Sequence, residues 1–346
     1  MILHIFNDPK FSRGYFEFLI KHGVNLNNHA LFHFRCRSET GESYGMQAIF
    51  SPGFFSLLPN LRMLRQLFAS EKIIIHSLAS PFLLLYLFVF PHLCKKCYWA
   101  IWGKDLYFYK TLVRPRLHHK VYEFFRRKVI RKIPNIIGFS ERDIDYARKW
   151  YGSEAIVHHS FSYPSNCYRG IAVDLKPQEV TKNILLGNSA DPTNDHFSAF
   201  PKIAEHLPDI TQIIIPLSYG DRKYAAAVKN KAQNVFGDRL RVLDELLDFE
   251  TYLQLLSKID IAVFPNSRQQ AMGTIITLLG MRKKVYIRRD ITTWGTLSDL
   301  GIVIYDIDQF NLSPPPEKIL KNNEKIVKEV FSERALLEQW LCIFNH

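Results

Sequence analysis

A polar loop between a short apolar strand and an apolar helix carries the residues best suited to bind an anion. The predicted strand spans residues 259–264, and the predicted helix spans residues 274–280 and ends at a glycine. Arg268 lies between them, with Gly273 and Thr274 at the helix start. A helix N-terminus presents unpaired N–H groups, and a guanidinium can bind a phosphate through two hydrogen bonds. The loop predicts a clamp for a diphosphate or a sugar diphosphate, and an ordinary strand-to-helix turn is the alternative.

A second loop, residues 187–196, follows a predicted strand and leads into a predicted helix. It begins with a glycine and two small polar residues, whose backbone N–H groups can hold a phosphate. It matches neither the Walker A motif nor the dinucleotide-binding glycine motif. The alternative is that Asn194 or Asp195 only caps the helix. Because both loops follow strands of one predicted sheet, together they predict a nucleotide-diphosphate site.

Three residues at predicted strand ends in the first half of the chain could act on a sugar hydroxyl. Asp105 follows an aromatic strand at residues 97–102, and Asp8 and His76 stand at the ends of two other strands. A carboxylate or an imidazole can accept a hydroxyl proton, and aromatic faces suit sugar rings. Packed aromatic side chains beside a turn aspartate, and a structural histidine, are the alternatives.

Short motifs that could hold a metal give weak signals. Two Asp-x-Asp pairs, at residues 143/145 and 306/308, match a metal-binding pattern that is common by chance. The first pair lies on a predicted helix, where side chains at i and i+2 diverge. Cys94 and Cys97 form a C-x-x-C motif without a second ligand pair. We predict no metal site and no cofactor.

The elements that must position these residues alternate strand and helix along both halves of the chain. This order predicts parallel sheets covered by helices, with ligands at the carboxyl ends of the strands. We therefore predict an α/β protein of two doubly wound Rossmann-like domains facing a central cleft. We also predict a loop over residues 41–53 and one terminal helix over residues 324–344. The predicted parts are an N-terminal domain (1–165), a linker (166–182), a second domain (183–320) and a C-terminal helix (321–346).

Charge is concentrated in the first half of the 346 residues. Residues 1–170 hold 24 Lys and Arg against 11 Asp and Glu, whereas residues 171–346 hold 21 against 22. The densest segment, residues 110–132, has nine basic residues and one acid, Glu123. Such a segment suits an anionic membrane, an anionic acceptor or nucleic acid, with a solvated helix face as the alternative.

Composition narrows the class of protein. The chain is 47% hydrophobic and 14% aromatic, which suffices for sizeable cores. Its five cysteines form no secreted-type framework, so we expect a reducing compartment. The N-terminus shows no signal-peptide pattern. The longest apolar run, residues 82–90, is too short to span a bilayer. We expect a soluble or peripheral protein.

Four motifs in one order resemble those of a known enzyme family. They are Trp102-Gly103-Lys104-Asp105-Leu106-Tyr107, Gly187-Asn188-Ser189 with Asn194 and His196, Leu243-Asp244-Glu245-Leu246, and Arg268-Gln269-Gln270 with Gly273-Thr274. The chain resembles the dTDP-N-acetylfucosamine:lipid II N-acetylfucosaminyltransferases of enterobacterial common antigen synthesis, glycosyltransferase family 56. The resemblance runs over residues 1 to 310 and is dense at these motifs.

The resemblance implies a hexosyltransferase-type GT-B glycosyltransferase that works without a metal. It implies transfer of a deoxyamino sugar, such as 4-acetamido-4,6-dideoxygalactose, from a dTDP-sugar to a polyprenyl-diphosphate-linked saccharide. The implied location is the cytoplasmic face of the bacterial inner membrane, with peripheral attachment to an anionic surface. Lys104 and residues 270–272 depart from the family pattern, so the donor sugar stays open between related surface-polysaccharide donors.

This hypothesis assigns roles to individual residues. Asp105 or Asp8, with His76 as a further candidate, would be the catalytic base. Arg268 would neutralise the diphosphate, and Glu245 would bind donor hydroxyls. The predicted donor-binding residues are Gly187, Asn188, Ser189, Asn194, His196, Glu245, Arg268, Gln269, Gln270, Gly273 and Thr274. The enzyme would have no nucleic-acid partner. The alternative is a non-enzymatic peripheral protein that binds anionic membrane or nucleic acid through residues 110–132.

Overall fold

The computed structural model describes residues 1–7, 9–34, 44–51, 57–108, 110, 112, 114–170 and 182–346. The described chain divides into two compact units. The first unit comprises Met1–Ser165 and Glu333–His346, and the second comprises Asn166–Ser332. The first unit is therefore discontinuous in sequence, because its last helix follows the second unit along the chain.

The first unit is built on a parallel sheet. Its described elements are β1 (Ile2–Phe6), α1 (Pro9–Lys21), β2 (His29–Phe34), β3 (Gln47–Ser51), α2 (Leu57–Ala69), β4 (Lys72–His76), α3 (Pro81–Val89), β5 (Cys97–Ala100), α4 (Gly103–Tyr107), α5 (Leu117–Ile130), β6 (Asn135–Gly138), α6 (Glu141–Tyr151), β7 (Ile156–His159) and the helix Glu333–Asn345. The seven strands described in this unit run in the order β3-β2-β1-β4-β5-β6-β7. All their pairings are parallel, which gives the doubly wound arrangement.

Alternation along β1 shows how the two faces of this sheet are covered. Leu3 and Ile5 belong to an apolar core that includes residues of α2, α3, α5 and α6. His4 and Phe6 point to the opposite face, where they contact aromatic side chains of α1. There His4 also contacts Phe344 of the helix Glu333–Asn345. Because side chains alternate along a strand, the sheet is buried on both faces.

The second unit repeats the architecture with its own core. Its described elements are β8 (Lys182–Leu186), α7 (His196–Ala204), β9 (Ile210–Pro216), α8 (Arg222–Phe236), β10 (Leu240–Leu243), α9 (Phe249–Ser257), β11 (Ile261–Phe264), α10 (Met272–Gly280), β12 (Lys284–Ile287), α11 (Thr292–Asp299), β13 (Tyr305–Asp306) and α12 (Glu317–Val330); the helix Glu333–Asn345 of the first unit is then α13. The six strands described in this unit run β10-β9-β8-β11-β12-β13, all parallel. Their carboxyl ends therefore meet at one edge of the sheet.

Three elements differ from the sequence-based prediction. The predicted loop 41–53 contains the edge strand β3, which pairs with β2. The single predicted terminal helix is two helices, α12 and α13, that meet at Phe331 and Ser332 and belong to different units. The short helix α4 begins directly after the aromatic strand and carries Asp105. Among the described helices, none is long and apolar enough to cross a bilayer.

Candidate active site

Two loops meet at the carboxyl edge of the second sheet. The β8 loop (residues 187–195) and the β11 loop (residues 265–271) follow strands that pair directly in the sheet. The backbone N–H of Ser267 donates to the carbonyl of Thr193 at 2.8 Å. The Thr193 hydroxyl donates to the Asp191 carboxylate at 2.6 Å and lies 3.2 Å from the side-chain oxygen of Gln270. The two loops predicted separately from the sequence thus contact each other at one edge of the sheet.

Arg268 is held at this edge by the other loop. Its Nη2 lies 3.3 Å from the Asp191 carboxylate, and its Nη1 donates to the carbonyl of Gln269 at 3.1 Å. The guanidinium is mostly buried, with 12% of the side chain exposed. A partly buried, oriented guanidinium binds a phosphate more strongly than a free surface arginine, because less rotamer freedom is lost. Asp191 therefore pre-positions the predicted diphosphate-binding cation.

Asn194 supports the β8 loop from inside. Its side chain is fully buried, accepts from the N–H of Asn188 at 2.9 Å, and donates to the Ser189 hydroxyl at 3.0 Å. The N–H of Gly187 donates to the carbonyl of Val263 at 2.9 Å. Both N–H groups already donate within the protein, and this does not favour the predicted phosphate contact of Gly187 and Asn188. Ser189 and Asn194 shape the loop.

His196 lies directly beneath Gly187. Its backbone N–H and its Nδ1 both lie within hydrogen-bond distance of the Tyr224 hydroxyl, at 3.1 and 3.2 Å. Burial lowers the pKa of His196 to about 4, so the imidazole is neutral at pH 7. A Cβ on Gly187 would stand 2.4 Å from Nε2 of this ring, and Gly187 has a φ of +69°. His196 thus packs closely against the backbone of the loop at Gly187.

The start of α10 offers further N–H groups at this edge. Ala271, the residue before the helix, has φ 61° and ψ 16° and makes no side-chain capping bond. Gly273 and Thr274 form the first turn, and the Thr274 hydroxyl lies 3.2 Å from the hydroxyl of Tyr252. An uncapped helix start has N–H groups and a partial positive charge directed at the carboxyl edge. Arg268 and the α10 start are adjacent in sequence and suit one anion.

Glu245 lies apart from this cluster. It follows β10, which is separated from β8 by β9, and its side chain is exposed. The structure does not bring Glu245 together with Arg268. A nucleotide that extends along the edge from the diphosphate could still reach it, because successive strand ends lie about 5 Å apart.

Sequence reasoning missed a second arginine at the same edge. Arg288 follows β12, the neighbour of β11, and forms two hydrogen bonds with the Asp290 carboxylate at 2.9 and 2.7 Å. Its Nη1 donates to Asp195 in the β8 loop at 3.3 Å. The nearby Asp290 and Asp195 carboxylates help to raise the pKa of Arg288. The signal was present, because the strand-end argument that identified Arg268 applies equally to the residue after Ile287.

Asp105 is a buried structural carboxylate in the first unit. Both of its oxygens accept hydrogen bonds at 2.8–2.9 Å, from the backbone N–H groups of Leu78, Trp102 and Leu106 and from the indole of Trp99. Burial raises the pKa of the Asp105 carboxyl, opposed by the charge of Arg126 and by these bonds. A carboxylate with both oxygens engaged and no open approach is a poor general base. The geometry therefore argues against Asp105 as the base and gives it a positioning role.

His76 is one member of a buried hydrogen-bonded chain. Successive side chains are His29, His4, His76, Tyr163 and Trp102, with heavy-atom distances of 2.9, 3.2, 2.7 and 2.7 Å. The His76 ring also stacks on Phe6 with centroids 3.7 Å apart. Both ring nitrogens of His76 are engaged and the residue is fully buried. This placement does not favour the predicted catalytic role of His76, because an acceptor hydroxyl has no approach to it.

The proton positions along the chain of histidines are linked. The Trp102 indole can only donate, so the Tyr163 oxygen accepts from it. Where the Tyr163 hydroxyl donates to Nδ1 of His76, His76 carries its proton on Nε2 and donates to His4, which in turn donates to His29. Where Nδ1 of His76 instead donates to the second lone pair of Tyr163, each of these bonds runs the other way, so the three neutral imidazoles share one direction.

The buried histidines predict a loss of stability in mild acid. Burial lowers the pKa of His4 and His76 well below the usual value, and that of His29 to about 4. As the pH falls below about 6.5, the unfolded chain binds protons that the folded chain excludes. The stabilisation is complete above pH 6.5 and is lost towards pH 4, at up to about 1.4 kcal/mol per pH unit for each histidine.

Denaturant unfolding at pH 7, 6 and 5 measures this slope. His29→Gln should flatten it, whereas the exposed His92→Gln serves as the matched control. A free energy of unfolding that stays constant from pH 7 to 5 contradicts the assignment of neutral buried imidazoles.

The remaining sequence candidates add no metal centre. Asp8 lies outside the described residues. Asp143 is buried and accepts from the Tyr107 hydroxyl at 2.7 Å, whereas Asp145 is exposed and pairs with Arg148. Cys94 is buried, free and hydrogen-bonded to backbone. In the described parts of the chain, no group of three or more His, Cys, Asp or Glu side chains is placed to hold a metal ion.

Comparison with known proteins places this geometry in a family. A model of the 4-alpha-L-fucosyltransferase family, glycosyl transferase group 56, matches residues 65–328. Sucrose-phosphate synthase from Thermosynechococcus elongatus has a similar structure, with a TM-score of 0.71 at 11% identity, covering 100% of this chain and 98% of that one. Anabaena HepE, solved in complex with UDP and glucose, gives 0.69 at 10% identity and covers 100% of both chains.

A third similar structure is WaaG, a glycosyltransferase involved in lipopolysaccharide biosynthesis. Its TM-score is 0.59 at 10% identity, covering 98% of this chain and 93% of that one. At such low identity these likenesses show the fold alone. They confirm the GT-B fold of two doubly wound α/β domains that the sequence predicted.

Proposed function

Because the chain belongs to the 4-alpha-L-fucosyltransferase family, glycosyl transferase group 56, we propose that it transfers a deoxyamino sugar from a dTDP-sugar to a polyprenyl-diphosphate-linked saccharide. The sugar is 4-acetamido-4,6-dideoxygalactose or a close relative, and the product serves surface polysaccharide synthesis, such as that of enterobacterial common antigen. The enzyme works peripherally at the cytoplasmic face of the bacterial inner membrane. Family membership makes the protein a glycosyltransferase, which removes the non-enzymatic alternative.

The observation that carries this proposal is the contact between the β8 and β11 loops. It places Arg268 beside the uncapped start of α10, with Asp191 holding the guanidinium in position. Breaking the bond between the sugar and the diphosphate adds one negative charge to the departing nucleoside diphosphate. A pre-positioned cation and helix N–H groups stabilise that charge most in the transition state, which is where stabilisation accelerates a reaction. With these donors present, the reaction needs no metal ion.

The remaining donor residues take supporting roles. Gln270 bridges the two loops through Thr193, and Gln269 orients Arg268 through its carbonyl. Arg288 adds a second positive charge on the neighbouring strand end. Glu245 is assigned to hydroxyls at the nucleoside end of the donor, because it follows a strand further along the same edge.

The base for the acceptor hydroxyl is assigned to Asp8. It follows β1, and the side chain of the preceding Asn7 donates to the carbonyls of His76 and Ser77 at 3.2 and 2.8 Å. Asp105 and His76 are assigned positioning roles and do not accept the hydroxyl proton. Asp105, for example, fixes the backbone at Trp102. Asp8→Asn should therefore lower the transfer rate without changing nucleotide affinity.

A nucleotide scan followed by a transfer assay tests the proposal. dTDP should raise the unfolding temperature more than UDP, GDP or ADP, and a ligand at 100 times its Kd stabilises by about 2.7 kcal/mol. Transfer from a labelled dTDP-sugar to a polyprenyl-diphosphate saccharide should persist in a chelator. Equal responses to all four nucleotides would remove the dTDP assignment. No transfer with any dTDP-sugar would remove the proposed donor class.

A further inference from the structure

Helix α5 exposes a stripe of apolar side chains and buries two of its charged ones. Leu117, Val121 and Phe124 are 77, 48 and 52% exposed, whereas Glu123 and Arg126 are 3 and 1% exposed. The three apolar residues are spaced i, i+4 and i+7 and so share one face of the helix. A helix on a water-exposed surface normally shows the reverse distribution. The outward face of α5 is therefore suited to a contact that is not water.

Buried contacts hold α5 in this orientation. Arg126 donates to the backbone carbonyl of Asp105 at 2.5 Å, and its guanidinium lies 3.8 Å from the Glu123 carboxylate. Rotating the helix to bury Val121 and Phe124 would separate these groups. Breaking a buried ion pair costs about 3–5 kcal/mol, because it leaves an uncompensated charge. The apolar face of α5 therefore stays outward, because turning it inward would break this buried ion pair.

The neighbouring helix α3 continues the apolar face. Its outward side chains, Leu85, Phe88 and Val89, are exposed and spaced i, i+3 and i+4. Phe88 contacts Phe125 of α5, with ring centroids 4.8 Å apart in an edge-to-face arrangement. The exposed faces of α3 and α5 are thus contiguous.

Helix α2 extends the same face on the other side. Leu58, Leu61 and Phe68 are exposed along it at roughly helical spacing. Phe68 contacts Phe90, the residue that ends α3, with centroids 5.2 Å apart. We call the exposed faces of α2, α3 and α5 the outer helical surface. Single exposed apolar residues are ordinary, but a contiguous set of this size marks an interaction site.

The charge around this surface has one sign. Among the described residues from 57 to 132, eleven Lys and Arg side chains are exposed and Glu71 is the one exposed acid. Lys120 and Lys128 lie on α5 beside the apolar stripe, and Nζ of Lys128 is 5.8 Å from the Phe124 ring centre. Long basic side chains of this kind keep their charge at a polar interface while their stems cover apolar surface. The surface combines apolar insertion with attraction to anions.

We propose that the outer helical surface docks the protein on an anionic phospholipid bilayer. Phenylalanine and aliphatic side chains enter the acyl boundary while lysine and arginine contact the headgroups, the two contributions that hold interfacial helices. A nucleic acid offers no apolar interior to Leu85, Val89 or Val121. This docking proposal deepens the proposed function and rests on it. Docking would serve the enzyme because a polyprenyl-linked acceptor is confined to the membrane.

Vesicle co-sedimentation of the full chain tests the docking surface. The probes are vesicles of phosphatidylcholine alone and vesicles with about one third phosphatidylglycerol. Val121→Asn/Phe124→Asn should lower binding to the anionic vesicles by at least about 10-fold. Lys120→Gln/Lys128→Gln should lower it by about 30-fold at low salt, at about fivefold for each charge removed. Ile20→Asn/Ile156→Asn, which changes two exposed residues elsewhere on the first unit, is the matched control.

The outcomes separate docking from catalysis. The proposal predicts that both variants keep the unfolding temperature, keep dTDP binding, and transfer sugar normally to a short-chain, detergent-soluble acceptor. Absence of binding to anionic vesicles overturns it, as does equal binding of the variants and the control. Tight binding to vesicles of phosphatidylcholine alone would overturn the proposed contribution of anionic headgroups to binding. A protein that docks normally but transfers no sugar leaves the surface intact and overturns only the proposed function.

Discussion

Arg268→Ala should lower kcat for sugar transfer by about 100- to 1,000-fold, the usual cost of removing one group that stabilises developing negative charge. Arg268 is mostly buried, oriented by Asp191, and adjacent to the start of α10. Its removal leaves the helix N–H groups to stabilise the diphosphate alone. Because the charge develops during transfer, kcat should fall more than the affinity for dTDP. Steady-state kinetics with a dTDP-sugar and saturating acceptor measures both quantities.

Two further variants define what Arg268 does. Arg268→Lys keeps the charge but loses the planar fork, so it should recover part of the rate. Arg241→Ala, an exposed arginine on β10, is the matched control for removing a positive charge from the second unit. A rate for Arg268→Ala within about threefold of wild type would falsify the assignment, since no charge-stabilising role costs so little.

Gly187→Ala should destabilise the second unit by about 2–5 kcal/mol and abolish nucleotide binding. Two causes add. The left-handed backbone at φ +69° costs an alanine about 1–2 kcal/mol. The new Cβ would also stand 2.4 Å from Nε2 of His196 and 3.1 Å from Oδ1 of Asn194, and overpacking of that kind costs about 1–3 kcal/mol. Because Asn194 holds the β8 loop, its displacement should disturb the site as well. Thermal unfolding and dTDP titration measure the two effects.

Gly23→Ala separates strain from collision. Gly23, which follows α1, also has positive φ, at +72°, but nothing lies within 4 Å of a Cβ placed there. It should therefore show the backbone cost alone, about 1–2 kcal/mol, in the first unit. Adding His196→Ala to Gly187→Ala removes the ring that the methyl meets, so the pair should show a coupling of at least about 1 kcal/mol. Equal destabilisation by Gly187→Ala and Gly23→Ala would disprove the close approach of His196.

Strands with a clear boundary were predictable residue by residue. Lys72–His76 and Lys284–Ile287 are short, mostly apolar and buried, and the structure makes each of them a strand. The edge strand Gln47–Ser51 was missed, because it is mostly half-exposed and lies among glycine and proline residues that indicate a loop. A local sequence pattern identifies a strand when the strand is buried, because burial requires apolar residues. An edge strand is less buried, so its sequence shows a weaker pattern.

The terminal helices show a second limit. Apolar spacing continues from α12 into α13, which suggested one helix. The two helices in fact bury their apolar sides in different cores, with Val327 in the second unit and Trp340 in the first. Apolar periodicity shows that one face of a helix is buried, but it does not show which core that face packs against.

The candidate site was predictable by position and less so by role. Strand ends correctly brought Arg268 and the β8 loop to one edge, because parallel topology alone decides that. The roles of Asp105 and His76 depended on contacts from residues distant in sequence. The donors to Asp105 include Leu78, and the partners of His76 are His4 and Tyr163. No pattern around either residue indicates such partners.

The return of α13 to the first unit has a consequence for synthesis. The second unit is continuous in sequence, so all its residues are synthesised before α13. The first unit lacks its cover over the histidine chain until Trp340, which lies 5.8 Å from His76, has emerged. The half of the protein that is translated first is therefore the half that completes its tertiary structure last. A chain that ends at residue 332 would hold every residue of the second unit and a first-unit sheet with one face incompletely covered.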